Sequence, residues 1–495
     1  MNSDALRILF ATPECAPWVK TGGLGDISAG LPAALLGAGL DVRVLLPAYP
    51  QVLEHATPRQ PLADIAAERF PAVRLWEAAL PSGVTALLLD CAQMFDRPGG
   101  PYTDADGNAW DDNALRFGLL SRAAALLAGA HTPLSWRPQV LHCNDWQTGL
   151  APAYLHYGPR PAAATLMSVH NLAFQGIFPA ELLGALGLPP QSYAVEGLEF
   201  WGKLSFLKAG LYYADALATV SPTYAQEIQH EALGSGLHGL LAARRPVLHG
   251  ILNGIDTELW DPASDPLLRR RYTAQTLEAK SDNKAALQAR LGLAAVSREP
   301  LFGVIARLTE QKGCDLLIEA AKAIVSLPAQ LAVLGMGEPA YERALTALAA
   351  SRPDRIAVAI GFDEALAHLI EGGADALLMP SRFEPCGLNQ MYSQRYGTPP
   401  IVRATGGLAD SVVDATPQTL VDGTATGFVF RSPNAAALLE AIERAAQAYR
   451  DLATWRAIQR NGMAREFSWR ASANAYAALY KKLVQATMPA LQQKG

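Results

Sequence analysis

The sequence has no long apolar runs and no cationic leader segment. No stretch approaches the ~18 apolar residues that a membrane-spanning helix needs. The first residues, Met1 to Arg7, do not combine a basic segment with an apolar one and a cleavage site. We therefore expect neither export nor an association with membranes.

Cysteine is scarce, and neither sign of charge dominates. The five cysteines, at positions 15, 91, 143, 314 and 386, are odd in number and show no Cys-x-x-Cys spacing. This argues against a disulfide framework and against a structural zinc site, and it favours a reducing cytoplasm. Lys and Arg total 41 against 46 Asp and Glu, a formal charge of −5. With no basic tail or stripe, a nucleic-acid partner is not expected.

Short apolar runs of strand length alternate with longer helix-like segments, and this pattern occurs twice in the 495 residues. Such alternation is typical of βα units with parallel strands, so we predict two doubly wound α/β domains. The predicted strands are 7–12, 42–46, 86–90, 139–142, 165–169, 216–220 and 247–252 in the first series, and 301–306, 330–334, 356–360, 374–379, 400–402 and 427–430 in the second. A polar stretch from Asp256 to about Glu299 separates the two series. Ligands bind beyond the carboxyl ends of parallel strands, so two facing domains predict a site in the cleft between them.

A glycine-rich segment, Lys20-Thr-Gly-Gly-Leu-Gly-Asp26, follows the first predicted strand and precedes a helical stretch. Glycines let backbone N–H groups approach an anion, and the following helix adds the positive end of its dipole. The segment matches neither the dinucleotide fingerprint nor the Walker A pattern. Taken alone, it is either a diphosphate cradle or a tight strand-to-helix connection.

Polar residues follow three other strands of the first series. His170 and Asn171 end one strand, Asp145 and Trp146 follow another, and Asn253 follows the last. A histidine here is either a hydrogen-bonded packing residue or a functional one. Asp145 is either a helix N-cap or a site residue, and Asn-Gly at 253–254 also fits a simple turn.

The second series places charge at strand ends. Arg307 and Lys312 directly follow its first strand, as a phosphate site or as a solvated surface loop. Glu384 precedes a predicted helix start with Pro385 in its first turn, where N–H groups near Gly387 would face a phosphate. In the alternative, Glu384 only complements the helix dipole. The segment 405–410, Thr-Gly-Gly-Leu-Ala-Asp, echoes the opening loop.

Together these motifs resemble a known family over residues 7 to about 485. They are 20–26, 168–171, 206–210, 221–225, 307–313, 380–388 and 405–410. Their order and content are similar to bacterial glycogen synthases and to the plant starch synthases.

The resemblance implies a GT-B glycosyltransferase with two Rossmann-like domains across a cleft and a C-terminal helix that crosses back to the first. The implied domains are 1–255 on the acceptor side, 256–465 on the nucleotide-sugar side, and a crossover helix and tail at 466–495. The implied activity is that of a cytoplasmic hexosyltransferase. Glucose passes from ADP-glucose to the non-reducing end of an α-1,4-glucan or glycogen, with retention and without metal or cofactor. The residues alone do not determine whether the donor carries ADP or UDP, and they do not determine the oligomeric state.

The resemblance also implies roles for individual residues. The catalytic set is Glu384, His170, Arg307 and Lys312. The substrate-binding set is Lys20, Gly22, Gly23, Asp26, Tyr102, Asp145, Trp146, Asn253, Phe362, Cys386, Gly387 and Leu388. Arg307 and Lys312 would hold the distal phosphate, and His170, Asn253 and Glu384 the glucose. Phe362 would lie against adenine, while Tyr102 and Trp146 are either acceptor contacts or packing residues.

Four positions depart from the family pattern or from that of related enzymes. Gln147 stands where the family often has histidine, Asn389 where it has threonine, and Phe362 where bacterial members have tyrosine. Tyr392 stands where many other retaining GT-B enzymes carry a second glutamate.

Three other classes remain to be separated by experiment. A sucrose- or trehalose-forming GT-B transferase would share the phosphate sites but accept a small sugar. A glycogen phosphorylase would need a pyridoxal phosphate lysine and usually a longer chain. A glucan-binding scaffold would share the polymer without turnover, and the charged set at the strand ends argues against it.

Overall fold

The computed structural model describes residues 5–160, 162–324 and 326–492, and the chain divides into two compact units. The first unit comprises the described residues up to Gly254 together with those from Trp469 onward. The second unit runs from Ile255 to Ser468.

The strands of the first unit are short, and those at its centre are almost wholly buried. They are β1 (Arg7–Ala11), β2 (Asp41–Pro47), β3 (Arg59–Ile65), β4 (Val73–Ala79), β5 (Thr85–Asp90), β6 (Val140–Asn144), β7 (Ala164–Val169), β8 (Ile177–Pro179), β9 (Glu199–Phe200), β10 (Lys203–Ser205), β11 (Ala216–Thr219) and β12 (Leu248–Gly250). In the described residues a nine-stranded sheet has the order β12-β11-β7-β6-β1-β2-β5-β4-β3, and β8-β10-β9 form a separate small sheet. Pairing is parallel from β12 to β5 and antiparallel at β4 and β3.

Every strand that the sequence predicted in the first half is present, but five further strands were missed. Strand β3 is the edge strand and β4 is its antiparallel neighbour; several of their side chains face solvent, so both lack the continuous apolar run of a buried parallel strand. Strands β8, β9 and β10 have only two or three residues each, too few for a periodic signal.

Eight helices of the first unit connect the strands. They are α1 (Gly23–Gly37), α2 (Pro50–His55), α3 (Ala92–Phe95), α4 (Asn113–Ala128), α5 (Ala151–Tyr157), α6 (Phe206–Tyr213), α7 (Pro222–Glu227) and α8 (His238–Ala243), counted over the described residues. Helix α1 begins inside the glycine-rich segment, with Gly22 as its N-cap residue. The carboxyl ends of β1, β6 and β7 lie side by side in the sheet, which brings the segments that follow them to one edge.

The second unit is a regular doubly wound domain. Its strands are β13 (Leu301–Ile305), β14 (Gln330–Gly335), β15 (Ile356–Ile360), β16 (Ala376–Met379), β17 (Pro400–Arg403) and β18 (Phe428–Phe430). They pair in parallel throughout, in the order β15-β14-β13-β16-β17-β18, so β13 and β16 lie side by side. Its helices are α9 (Lys280–Leu291), α10 (Cys314–Ile324), α11 (Pro339–Ser351), α12 (Glu364–Gly373), α13 (Asn389–Arg395), α14 (Gly406–Ser411), α15 (Pro417–Val421), α16 (Ala435–Tyr449) and α17 (Leu452–Met463). Two large apolar clusters, one with α10 and α16 and one with α9 and α12, pack against the strands.

The C-terminal helix α18 (Trp469–Gln492) belongs to the first unit. It packs on α1, where a Cβ on Gly30 would stand 2.1 Å from the Trp469 Nε1, so only glycine allows this approach. Ser472 donates to the Leu252 carbonyl at 2.6 Å, and the Tyr480 hydroxyl lies 2.8 Å from His142 Nδ1 on β6. The predicted pair of Rossmann-like units with a C-terminal helix that returns to the first is confirmed. Within the described ranges, no helix has both the length and the apolarity to cross a membrane.

Candidate active site

The glycine-rich segment presents open backbone donors at the start of α1. Gly22 is extended, with φ −162°, and no atom lies within 4 Å of a Cβ placed there. No acceptor in the described part of the chain takes the N–H groups of Gly22 and Gly23. Lys20 Nζ lies 2.8 Å from Asp26 Oδ1, so the lysine charge is shared with the first turn of α1. The loop therefore offers two amides and one partly compensated cation to an anion.

Glu14, which sequence reasoning missed, holds this loop in place. Its buried carboxylate accepts from Thr21 N at 2.6 Å, from Thr21 Oγ1 at 2.7 Å, and from the Tyr102 hydroxyl. Desolvation by burial is the largest cause that raises the pKa of Tyr102 well above its usual range, and the charge of Glu14 adds to it. The carboxylate thus joins the glycine loop to a predicted acceptor contact. Its position three residues beyond β1 was the signal that could have revealed it.

His170 is held at the end of β7 by the neighbouring strand. Its backbone N–H donates to Asp145 Oδ1 at 2.8 Å, and its ring atom Nε2 lies 3.0 Å from Asn144 Oδ1. The Asn144 amide donates to the Ala11 carbonyl at 3.0 Å, which turns its oxygen toward the imidazole. We therefore assign the Nε2–H tautomer to His170. Nδ1 has no partner in the described residues and is left as an acceptor.

Burial disfavours the charged form of both ionisable groups at this edge. It lowers the pKa of His170 to about 4 and raises that of Asp145 to about 7, although the backbone N–H groups of His170 and Asn171 oppose the latter shift. At neutral pH the imidazole is therefore a neutral hydrogen-bonding group rather than a cation.

Asp145 has a left-handed backbone, with φ +55°, which is rare for a residue with a side chain. It precedes a short 3₁₀ helix (Trp146–Thr148), but its carboxylate caps nothing there and instead accepts from His170 N. The alternative interpretation as an N-cap is therefore wrong.

The remaining residues predicted in the first unit are largely buried. The half-buried Trp146 ring packs against Phe117, Phe178 and Phe206 at centroid distances of 5.0, 5.6 and 6.3 Å. Asn253 lies three residues beyond β12 and is 5% exposed. Gln147 is also buried, and its Oε1 has no partner among the described residues.

In the second unit, β13 and β16 bring Lys312 and Glu384 together. Lys312 Nζ lies 2.5 Å from Glu384 Oε2, and Ser381 Oγ donates to the same oxygen at 2.9 Å. Gly313, with φ +69°, ends the 3₁₀ turn that carries Lys312 and passes so close to the Pro380 carbonyl that a Cβ would stand 2.1 Å from it. Arg307 is exposed, and its side chain has no ion pair in the described residues. Among the residues that the structure describes, Lys312 is thus paired with a carboxylate and Arg307 has no ion-pair partner.

The segment after Glu384 is a loop, not the predicted helix start. Helix α13 begins at Asn389, and Pro385 is not in its first turn. Gly387 has φ +73°, a left-handed conformation that cannot continue into a right-handed helix. The N–H groups of Gly387 and Leu388 meet no acceptor in the described residues, so the loop still presents backbone donors. Cys386 is buried beside them.

Two side chains fix this loop from behind. The Asn389 amide donates to the Ile305 carbonyl at 2.7 Å, which ties the start of α13 to the end of β13. Gln390 donates to the carbonyls of Cys386 and Gly387 at 3.0 and 3.1 Å. Asn389 therefore acts on the strand end that carries Arg307.

The second Thr-Gly-Gly segment is built differently from the first. Gly407 N donates to the carbonyls of Glu384 and Pro385, each at 3.2 Å. A Cβ on Gly406 would stand 1.9 Å from the Glu384 carbonyl, and one on Gly407 would stand 2.2 Å from the Cys386 carbonyl. Here Gly406 and Gly407 allow α14 to pack against the Glu384 loop, whereas a Cβ on Gly22 in the first segment would meet open space.

An apolar patch lies at the ends of β14 and β15. Phe362 is 84% exposed, Met336 55% and Ile360 45%, and the first two each follow the end of one of these paired strands. Met336 was not predicted, although its position directly after β14 was a signal. Tyr392, in contrast, is buried and stacks on Trp260 at 4.0 Å, so it is a packing residue of α13.

Comparison with known proteins identifies the family. Residues 7–243 match the model "Starch synthase catalytic domain", and residues 290–461 match "Glycosyl transferases group 1". A glycogen synthase of Aromatoleum aromaticum is 60% identical over 96% of this chain and 96% of its own length. The chain belongs to the glycogen synthase family.

Two further comparisons support the assignment to the glycogen synthase family. A glycogen synthase of Dechloromonas aromatica is 56% identical over 97% of this chain and 99% of its own length. The catalytic domain of starch synthase IV from Arabidopsis thaliana, solved with ADP and acarbose, is 33% identical with a TM-score of 0.86, and the match covers 97% of this chain and 100% of that one. The predicted glycosyltransferase fold, hexosyltransferase activity and glycogen synthase function are therefore confirmed.

Proposed function

We propose that this chain transfers glucose from ADP-glucose to the non-reducing end of an α-1,4-glucan, with retention of configuration and release of ADP. The observation that carries the proposal is the arrangement of Arg307, Lys312 and Glu384 at the ends of β13 and β16. The starch synthase structure with bound ADP and acarbose supports both the nucleotide and the glucan.

Departure of ADP is assigned to the cations and the open amides. As the bond from the anomeric carbon to the phosphate oxygen breaks, negative charge grows on the diphosphate, and donors already in place stabilise it. Arg307 supplies a planar, bidentate donor set and an uncompensated charge. The N–H groups of Gly22, Gly23, Gly387 and Leu388 and the Lys312 ammonium are the other donors in this proposal.

The glucose is assigned to His170, Asn253 and Glu384. His170 is neutral near pH 7, and its Nδ1 lone pair is suited to accept a hydrogen bond from a sugar hydroxyl. The Glu384 carboxylate would stabilise positive charge that develops on the sugar ring. Asp26, Tyr102, Asp145 and Trp146 line the acceptor side in this assignment.

We assign Glu384 a positioning and electrostatic role rather than that of a nucleophile. Lys312 and Ser381 both contact Oε2 and hold the carboxylate in place, which supports this assignment. We propose instead that the acceptor hydroxyl attacks on the face from which ADP departs and gives its proton to a phosphate oxygen of the leaving ADP. Trapping a covalent glucosyl adduct on Glu384 would overturn this assignment.

For the acceptor, an aromatic cluster around Trp146 and the Tyr102 ring suits the apolar faces of glucose units. We also propose that the reaction takes place in the cytoplasm, because all five cysteines are unpaired, as in a reducing compartment.

The deciding experiment compares transfer of labelled glucose from ADP-glucose and from UDP-glucose, each with and without glycogen. We expect alcohol-precipitable label, dependent on glycogen, with ADP-glucose preferred. Label that stays in small soluble products would indicate a sucrose- or trehalose-forming transferase instead. Glycogen binding without ADP release would indicate a non-catalytic scaffold.

A further inference from the structure

The C-terminal helix α18 buries one stripe of its surface in the first unit. The buried positions recur at the three- and four-residue spacing of one helix face: Ser472, Ala473, Tyr476, Leu479, Tyr480 and Leu483. The helix packs on α1 and against β6 and β7. The stripe is not purely apolar, because two of its largest members, Tyr476 and Tyr480, carry hydroxyl groups into the contact.

Tyr480 begins a polar network inside this contact. Its hydroxyl lies 2.8 Å from His142 Nδ1, and His142 Nε2 lies 2.6 Å from Ser168 Oγ. All three side chains are wholly buried, and we call them the α18 network. Burial lowers the pKa of His142 well below its usual range, and the proximity of His170 adds to the shift. A neutral imidazole, with one donor and one acceptor nitrogen, satisfies both hydrogen bonds.

Aromatic side chains hold the His142 ring in its orientation. Phe10 on β1 meets the imidazole in a T-shaped arrangement, with the ring centroids 4.8 Å apart. Tyr476 lies on α18 with its ring centroid 5.4 Å from that of the imidazole and with an interplanar angle of 32°. Packing and hydrogen bonds thus agree on one orientation, and a buried network with all its partners present is rigid.

Helix packing alone does not require the α18 network. Removing three polar side chains from water offsets most of what their hydrogen bonds gain, and apolar side chains of similar volume would fill the same space. Hydrogen bonds differ from apolar contacts in that they specify position. If α18 slid or rotated on the sheet, the Tyr480 hydroxyl and His142 Nδ1 would become buried groups without partners. The network therefore defines where the helix stands on β6 and β7.

The α18 network adjoins the residues that orient the imidazole of His170. Strands β6 and β7 stay in register up to their last pair, Asn144 and Ser168, and His142 lies two residues before Asn144 on the same face. Asn144 Oδ1 lies 3.0 Å from His170 Nε2, and the Ser168 carbonyl accepts from Asp145 N at 2.9 Å. The bond from His142 to Ser168 thus joins the two strand ends directly before the groups that hold His170.

We propose that Tyr480 and His142 are positioning residues for His170, so that the docking of α18 sets the orientation of the imidazole at the glucose. This inference rests on the proposed function, which assigns His170 to the glucose. Neither Tyr480 nor His142 touches the substrate, and both act through Ser168 and Asn144. The last helix of the chain thereby contributes to a site that is built from residues more than 300 positions before it.

The kinetic test compares Tyr480→Phe and His142→Leu with Tyr154→Phe. Tyr154 is the matched control, because it is also a buried tyrosine of the first unit, and its hydroxyl donates to the Leu186 carbonyl at 2.6 Å. We expect kcat for transfer to glycogen to fall about tenfold in Tyr480→Phe and in His142→Leu, since a misplaced group at the reacting sugar lowers turnover. KM for ADP-glucose should stay unchanged, because the diphosphate donors are intact. Tyr154→Phe should lose similar stability and keep the wild-type kcat.

Histidine NMR supplies a readout that a loss of stability alone would not change. The ring signals of His170 should shift in Tyr480→Phe and keep their wild-type positions in Tyr154→Phe. Either a wild-type kcat or wild-type His170 signals in Tyr480→Phe would overturn the proposal. Tyr480→Phe removes a single oxygen atom, so it decides the question even if His142→Leu does not fold. A wild-type protein that transfers no glucose would refute the proposed function, whereas the His170 signals would still decide whether α18 positions the imidazole.

Discussion

Lys312 and Glu384 form a partly buried ion pair, with Nζ 2.5 Å from Oε2 and side chains that are 19% and 6% exposed. The two residues are 72 positions apart in the chain and meet because β13 and β16 are neighbours in the sheet. The pair makes the lysine both a structural partner and a candidate catalytic group.

Lys312→Ala should therefore lose both turnover and stability. We expect kcat to fall ~10²-fold, the scale for one preorganised transition-state contact. The free energy of unfolding should fall by about 3 kcal/mol, because Glu384 is left as an unpaired buried charge. Arg307→Ala should lose turnover to a similar extent with unchanged stability, since Arg307 is exposed and has no ion-pair partner in the described part of the chain. Steady-state kinetics measures kcat, and urea unfolding measures the free energy of unfolding. Lys322→Ala, which changes an exposed lysine on α10, is the control. Normal turnover of a folded Lys312→Ala protein would contradict the phosphate assignment.

The two Thr-Gly-Gly segments should respond oppositely to alanine. Gly22→Ala meets no atom within 4 Å, so its stability should stay within about 0.5 kcal/mol of wild type. Its affinity for ADP should fall about tenfold, because the methyl group keeps the phosphate from the backbone amides. Gly407→Ala should lower the melting temperature, because its Cβ would stand 2.2 Å from the Cys386 carbonyl. Calorimetric titration with ADP and thermal unfolding measure these effects. Full ADP affinity in Gly22→Ala would remove the opening loop from the diphosphate site.

His170 should remain neutral well below pH 6. Burial lowers its pKa to about 4, whereas an unfolded histidine titrates near ~6.5. It therefore contributes stability that is fully present above about pH 6.5 and is lost as pH falls toward 4. The contribution of Asp145 to stability depends on pH in the opposite direction. Burial raises the pKa of Asp145 to about 7, so its contribution is lost as pH rises toward that value. The stability difference between wild type and His170→Gln should thus be larger at pH 7 than at pH 5. Histidine NMR, assigned with that variant, measures the pKa, and a titration near 6.5 would contradict the assigned environment.

The patch of Met336, Ile360 and Phe362 should set the affinity for the nucleotide base. Phe362→Ala should weaken ADP binding about tenfold, because base stacking on an aromatic ring is worth ~1–3 kcal/mol. Phe362→Tyr should restore it, and Met336→Ala should have a smaller effect. Val421→Ala, which removes another highly exposed side chain of the second unit, is the control. The expected loss is greater for ADP than for UDP, because a purine covers more of the patch. Equal binding of ADP by wild type and Phe362→Ala would exclude this patch as the base contact.

The strand pattern could be predicted because buried parallel strands are continuous apolar runs. The strands from β13 to β18 were all found in this way, and so were the central strands of the first unit. The edge strand β3 and its neighbour β4 were missed, because several of their side chains meet solvent and polar residues interrupt the apolar run. The helix predicted directly after Glu384 was placed too early, because nothing in the sequence indicates that Gly387 adopts a left-handed backbone.

The candidate site was located by a simple rule, that ligands bind at the carboxyl ends of parallel strands. This rule selected Arg307, Lys312, His170 and Asp145, and applied more widely it would also have selected Glu14 and Met336. It does not determine which of the selected residues meet. Nothing in the spacing indicates that Glu14 accepts from both Thr21 and Tyr102, or that Asn389 reaches the Ile305 carbonyl.

The class of fold, the family and the segments predicted to carry the chemistry follow from the sequence alone, because they depend on local apolar periodicity and on residue order. Which groups are charged or paired depends instead on the three-dimensional structure. Lys312 is paired with Glu384, Arg307 has no ion-pair partner within the described ranges, and His170 is neutral near pH 7, and each outcome depends on burial and on partners from distant parts of the chain. The same holds for the two Thr-Gly-Gly segments, one open and one packed. Their sequences are nearly alike, and only the atoms around them differ.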